Sequence, residues 1–127
     1  MAKNDSRKKP ILTKTDACRI LADTPRMNGF HFYAAFGVYV EETASSLRQF
    51  ADILRIIDEG SIRFHFPRGD FQRWIRETIG DNELAERIES IELTTDIENI
   101  RDMLVKTVSA RMTELKSYLS NNYSDPK

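Results

Sequence analysis

The sequence contains a single cysteine, Cys18, so it excludes an internal disulfide and a cysteine-based zinc site. It has no signal peptide and no apolar run of membrane-spanning length, so we expect a cytoplasmic protein with no membrane partner. Glycine-rich phosphate loops and the Gly-x-Ser-x-Gly motif of many hydrolases are also missing. These absences argue against several classes of enzyme, but they do not indicate what the protein does.

Charge of either sign is nearly balanced, with 19 Lys and Arg against 20 Asp and Glu. A net charge of −1 provides no general attraction for nucleic acid. The basic residues are concentrated at the start, where residues 1–14 carry a net +4. We expect a disordered basic arm at 1–14, either solubilising or anion-seeking, a single helical domain at 15–121 and a frayed tail at 122–127.

The segment 61–85 is the richest in uncommon residue types and is interpreted as the centre of the fold. Pro67 interrupts regular structure, and Arg68-Gly69 predicts a turn. Asp70 is then predicted to be the N-cap of a helix that ends near Gly80, and Asp81 the N-cap of the next helix. The apolar positions of the first helix recur at helical spacing: Phe71, Trp74, Ile75 and Ile79.

Residues 29–40 are dense in aromatic and β-branched side chains, with Gly37 near the middle. The pattern favours two short extended pieces, a short β-hairpin near residues 30–40, although a buried helix has the same apolar density. Residues 61–66 are equally ambiguous, and we favour a helix there. Between them, residues 47–57 form a wide apolar stripe that is typical of a central helix.

The last predicted helix runs from Asp96 to Ser120 and would be about 37 Å long. If its end projects beyond the domain, its apolar stripe would be exposed and would need a partner, and we would then expect a homodimer. If it folds back along the 47–57 helix, no partner is needed. The sequence leaves both arrangements open.

The predicted fold class is therefore all-α, with four or five helices in a small bundle, a short hairpin and a long C-terminal helix. The expected core is Phe32, Leu47, Phe50, Leu54, Ile57, Ile62, Phe64, Phe71, Trp74, Ile75, Leu84, Ile88, Ile100 and Leu104.

A succession of short motifs runs through residues 29–91: FHFY at 30–33, SLxxF at 46–50, SIxFH at 61–65, RGDFxxWI at 68–75 and GDxxLA at 80–85. With these motifs the chain resembles an uncharacterised prokaryotic family, a domain of unknown function found largely in archaea and bacteria. The last helix fits this resemblance loosely. The resemblance implies a small, mostly helical cytosolic domain and implies no reaction.

The candidate polar cluster consists of His65, Arg68 and Asp70, with His31 and Asp81 as further members. Two imidazoles and carboxylates suit a divalent metal, but no pair has the spacing of metal ligands on one helix, so we expect no metal site. An acid–base role for His65 is the alternative. The remaining interpretation gives these residues a structural role, in which they form a hydrogen-bonded cluster that stabilises the turn before the helix of Trp74.

Four arginines, Arg63, Arg68, Arg73 and Arg76, lie on a stretch that resembles a helix–turn–helix. Arg73 and Arg76 are three residues apart and are the candidate anion-binding pair. Acidic residues follow directly and the whole chain is slightly acidic, so nucleic acid is not expected as a partner.

From these patterns we expect a non-enzymatic interaction or accessory domain without a cofactor, which self-associates through the last helix or binds an unidentified protein partner. The first alternative is a small-ligand-binding or metal-binding protein, with or without catalysis, centred on His65, Arg68 and Asp70. The second is a nucleic-acid-associated protein that uses Arg73, Arg76 and the basic arm.

Overall fold

The computed structural model describes residues 12–124, and side chains up to residue 120. Within this range the chain forms six α-helices and one β-hairpin. Most of the expected basic arm and the end of the expected frayed tail lie outside the described residues. The elements in chain order are α1 Lys14–Leu21, a 3₁₀ turn Arg26–Asn28, β1 Phe30–Ala35, β2 Val38–Ala44, α2 Leu47–Ile56, α3 Glu59–His65, α4 Asp70–Trp74, a π-helical turn Ile75–Ile79, α5 Asn82–Glu89 and α6 Ile97–Ser124.

The all-α fold class is wrong, because the hairpin is a regular part of the fold. Strands β1 and β2 pair antiparallel around a turn in which Gly37 has a φ of 76°. The described residues are 64% helical and 12% strand, a mixed fold. Alternation at period 2 directs Phe30 and Phe32 of β1 into the core, where both are buried. The predicted hairpin near 30–40 is present and extends to Ala44.

Helix α2 is the central helix that the wide apolar stripe predicted. The Ser46 hydroxyl caps it by accepting a hydrogen bond from the Gln49 N–H at 3.1 Å. Its apolar residues are buried on two sides, against β2 and against α6. Phe50 and Leu54 have no exposed surface and connect the hairpin to the helices.

The segment 61–66 lies in helix α3 and its C-cap, so the choice of helix was correct. After it, Gly69 is the N-cap of α4 with a φ of 76°, and Asp70 is the first helical residue. The predicted cap role of Asp70 is therefore wrong. Gly80 has the predicted left-handed backbone with a φ of 87°, and the Asp81 carboxylate caps α5 as predicted.

Helix α6 has 28 residues, about 42 Å at 1.5 Å per residue. It packs mainly along α2 and α1, and further on α3 and α5. Leu104, Val108 and Leu115 have no exposed surface. The stripe that could have required a second copy is covered by the same chain, the second of the two arrangements that the sequence left open.

Thirteen of the fourteen expected core residues are buried. The exception is Phe64, which is only half-buried. Its ring lies beside the exposed ring of Phe36, at the edge of a cleft that opens next to the expected polar cluster.

Candidate functional site

A cleft of about 570 Å³ lies between the tip of the hairpin and helices α3 and α4. This volume is in the range of small-ligand sites in proteins, roughly 300–1,000 Å³. Part of its wall is aromatic and part is charged. The lining residues on which the argument depends are His31, Tyr33, Phe36, Phe64, His65, Arg68, Asp70, Arg73 and Glu77.

The local sequence explains how three elements meet at this cleft. The turn at Gly37 places Phe36 at the hairpin tip. Helix α3 ends at His65, and the Pro67-Arg68-Gly69 turn reverses the chain, helped by the left-handed backbone of Gly69. Residues on both sides of that turn therefore face one another across a few ångströms.

Asp70 is the centre of the polar cluster. Its Oδ2 atom lies 2.8 Å from His65 Nδ1 and accepts a 2.8 Å hydrogen bond from Arg68 Nε. Its Oδ1 atom accepts from Arg73 Nη1, also at 2.8 Å. Burial raises the pKa of the Asp70 carboxyl, but the three hydrogen bonds outweigh it, and the pKa lies below its usual value. Asp70 is thus an ionised carboxylate that orients three side chains.

His65 is held at both ring nitrogens. Its Nε2 atom accepts a hydrogen bond from the Tyr33 backbone N–H at 2.8 Å, so the ring proton is on Nδ1 and is donated to Asp70. Burial lowers the pKa of His65, although Asp70 acts in the opposite direction. His65 is therefore a neutral, buried link between β1 and α4.

Arg68 packs against two aromatic rings that touch each other. Its guanidinium carbon lies 4.8 Å from the Phe36 ring centroid and 4.7 Å from the Phe64 centroid. The two rings meet edge to face at 5.2 Å. Asp70 occupies Nε, while Nη1 and Nη2 make no hydrogen bond to the described part of the chain. The result is an oriented cation with free donors at the edge of the cleft.

The fold places two of the other predicted site residues in the cleft and two elsewhere. His31 lines the cleft, and its Nδ1 atom lies 2.8 Å from the Thr43 hydroxyl. Arg73 also lines it, bound to Asp70. Asp81 lies elsewhere, paired with Arg111 across α5 and α6. Arg76 pairs with Glu89 at 3.0 Å and is not part of the cleft.

Two alternative hypotheses gain no structural support. Among residues 12–120, no group of three or more His, Cys, Asp and Glu side chains lies close enough to hold a metal ion. Arg63 pairs with Glu59 at 3.4 Å and Arg76 with Glu89 at 3.0 Å, so two of the four arginines of the supposed helix–turn–helix stretch are ion-paired outside the cleft. The part of the basic arm at residues 1–11 lies outside the described residues.

Among the cleft residues named above, the sequence interpretation missed Tyr33, Phe36 and Glu77 and assigned Phe64 to the core. The signal for Phe36 was its position beside Gly37, because a side chain at the tip of a hairpin cannot reach the core. Phe36 is 78% exposed, unusually high for a phenylalanine. Glu77 had no such signal.

One comparison bears on the helical half of this site. Residues 67–126 match the model of a family of unknown function, DUF5752. This part of the chain, 60 of 127 residues, is similar to that family, and the expected resemblance to a domain of unknown function is confirmed. The DUF5752 match overlaps the expected resemblance at residues 67–91 and also covers α6. It includes Arg68, Asp70 and Arg73 of the cleft.

No curated protein and no solved structure has a significant match to the chain. Over the described residues, no helix combines the length and the apolar character needed to cross a membrane.

Proposed function

We propose that this protein is a non-enzymatic binding domain that holds a small ligand in the cleft between the hairpin and helices α3 and α4. The observation that carries the proposal is the Arg68 guanidinium, which packs against Phe36 and Phe64, is held by Asp70 at Nε, and has two terminal nitrogens that bond no described residue. Orienting a long cationic side chain in advance reduces the entropy lost on binding. Exposed aromatic surface beside an oriented cation is typical of ligand recognition.

Binding is favoured over catalysis because the titratable groups of the cluster are already engaged. His65 uses one nitrogen for the Tyr33 N–H and the other for Asp70. To act as a base it would have to leave a backbone donor without a partner, at a cost of about 1–3 kcal/mol. Asp70 is surrounded by three donors, which favour its carboxylate form and disfavour proton uptake.

Self-association through the last helix stays a prediction, but its physical reason is weaker. The stripe on α6 is covered by α1 and α2 of the same chain. The proposal therefore rests on the cleft and includes no dimer. It keeps the expected cytoplasmic location, for which the lone unpaired Cys18 is the support.

The test is nuclear magnetic resonance on the full-length chain with a set of aromatic fragments that includes acids, alcohols and amines. We expect at least one fragment class to shift backbone resonances of Tyr33, Phe36, Phe64 and Arg68 together. Phe36→Ser should abolish these shifts without unfolding, because its side chain is 78% exposed.

The matched control is Ile56→Ser, which removes an apolar side chain that is 73% exposed and lies outside the cleft. It should leave fragment binding unchanged. If no fragment class shifts the cleft resonances at millimolar concentration, the proposed function is wrong.

A further inference from the structure

We infer that the ligand of this cleft is a monocarboxylate on a flat apolar body, such as an aryl-substituted carboxylic acid. The inference rests on the proposed binding function and specifies its ligand class. Three features support it: the free edge of Arg68, the charge balance of the cleft wall, and the exposed ring of Phe36.

The free edge of Arg68 matches a carboxylate in shape. Because Asp70 occupies Nε, the two terminal nitrogens are the remaining donors. They lie in one plane and can donate two parallel hydrogen bonds to the two oxygens of a carboxylate. The hydrogen bond from Nε to Asp70 and the packing against the two rings orient the guanidinium, so the direction of this edge is set before a ligand arrives.

The charged side chains in the wall balance one another, so the open edge of Arg68 is the feature that can attract an anion. Arg68 and Arg73 contribute two positive charges, while Asp70 and Glu77 contribute two negative charges. Arg73 directs Nη1 to Asp70 and Nη2 to the Arg68 carbonyl oxygen at 3.1 Å, which engages both of its terminal nitrogens. A phosphate dianion would find one open guanidinium edge in a wall that also contains the Glu77 carboxylate. A monoanion needs only that one edge.

The ring of Phe36 supplies a surface for the rest of the ligand. It is 78% exposed, and the half-buried ring of Phe64 lies against it. Tyr33 continues the aromatic wall. A flat apolar group could pack against these rings while its carboxylate reaches Arg68, and both contacts would exclude water from the ion pair.

The experiment compares four probes on the full-length chain: phenylacetate, phenyl phosphate, benzyl alcohol and acetate. Affinity is measured at pH 7.5 from the shifts of cleft resonances. We expect phenylacetate to bind roughly tenfold or more tightly than each of the other three, because only it combines the ring with a planar monoanion.

Variants of Arg68 distinguish the effect of its positive charge from the effect of its planar shape. Arg68→Gln should remove the preference for phenylacetate over benzyl alcohol, and Arg68→Lys should restore only part of it, because an ammonium has no planar pair of donors. Arg63→Gln is the matched control, since Arg63 is a nearby arginine on α3 that pairs with Glu59 outside the cleft. It should keep the full preference.

The outcomes distinguish this inference from the proposed function. If benzyl alcohol binds as well as phenylacetate, or phenyl phosphate binds more tightly, the carboxylate inference is wrong and the cleft remains a ligand site. If Arg68→Gln keeps the preference for phenylacetate, the role assigned to Arg68 is wrong. If none of the aromatic probes shifts the cleft resonances, the proposed function fails with the inference.

Discussion

Asp70 illustrates how one residue can control several others. Its side chain is 12% exposed and binds His65, Arg68 and Arg73 at once. These partners lie within five positions of it in the chain, so the turn at Gly69 is enough to bring them together. One contact of the cluster comes from a distant part of the chain. The Tyr33 N–H donates a hydrogen bond to His65, and the two residues are 32 positions apart.

Stability should depend on pH through His65. Burial places its pKa in the folded state below the ordinary value of 6.5, so the unfolded chain takes up a proton first. The contribution of this residue is complete above pH 6.5 and decreases as the pH falls from there toward the folded pKa. Denaturant unfolding between pH 8 and pH 5 should show the free energy of unfolding decreasing as the pH falls. The decrease should be smaller in His65→Gln, because glutamine keeps one donor and one acceptor but does not take up a proton.

Asp70 acts in a separate pH range. Its folded pKa lies below the ordinary 3.8, so its contribution is present above pH 3.8 and disappears as the pH falls through the folded value. Parallel pH curves for the wild type and His65→Gln between pH 8 and pH 5 would show that His65 does not control the loss of stability expected in that range.

At the scale of secondary structure, helices α5 and α6 are joined by a buried ion pair. Arg111 donates from Nε and Nη2 to the two oxygens of Asp81, at 2.8 Å and 3.0 Å. Asp81 is 2% exposed and also caps α5 through the Leu84 N–H at 3.2 Å. The sequence contained a sign of this, because Arg111 lies three residues after Val108 and four before Leu115, on the same side of the helix as these apolar residues.

Arg111→Met should lower the free energy of unfolding by about 3–5 kcal/mol, because it leaves the Asp81 carboxylate buried without its cation. Adding Asp81→Asn should recover part of the loss, since asparagine keeps the cap and removes the charge. Urea unfolding of the two variants measures both effects.

Lys106→Met is the control on the same helix. It removes an exposed ion pair with Asp102, for which we expect a loss of no more than about 1 kcal/mol. Equal losses for Arg111→Met and Lys106→Met would contradict the importance given to the buried pair.

On the scale of the whole molecule, α6 provides a wall against which four other helices pack. Its apolar side is covered by α1, α2, α3 and α5. The hairpin packs on the opposite side of α2, with the rings of Phe30 and Phe32 against Phe50. The cleft lies outside this core, where the hairpin tip meets α3 and α4.

Leu115→Asp separates a folding role of α6 from a role in self-association. Leu115 has no exposed surface, so a buried aspartate there should cost more than about 4 kcal/mol and abolish cooperative unfolding. Ile56→Asp makes the same kind of change at a side chain that is 73% exposed and should leave the fold intact. Thermal unfolding and light scattering measure the two outcomes. A folded Leu115→Asp protein with a smaller mass would restore the dimer hypothesis.

The sequence by itself determined the features that depend on neighbouring residues. The stripe of α2, the cap at Asp81, the left-handed Gly80 and the closeness of Arg68 to Asp70 all arise within a few positions, where propensity and spacing act directly. Thirteen of the fourteen expected core residues followed from the same periodicity.

Only the tertiary structure decided what depends on distant pairing. Periodicity could not show that the hairpin packs on the core, that Phe36 reaches the Arg68 guanidinium, or that the Tyr33 N–H of β1 donates to His65. Each of these contacts joins the hairpin to a segment that is far from it in the chain, and the free energy of such contacts depends on packing that no local pattern contains. For that reason the individual cluster residues were predictable and the cleft was not.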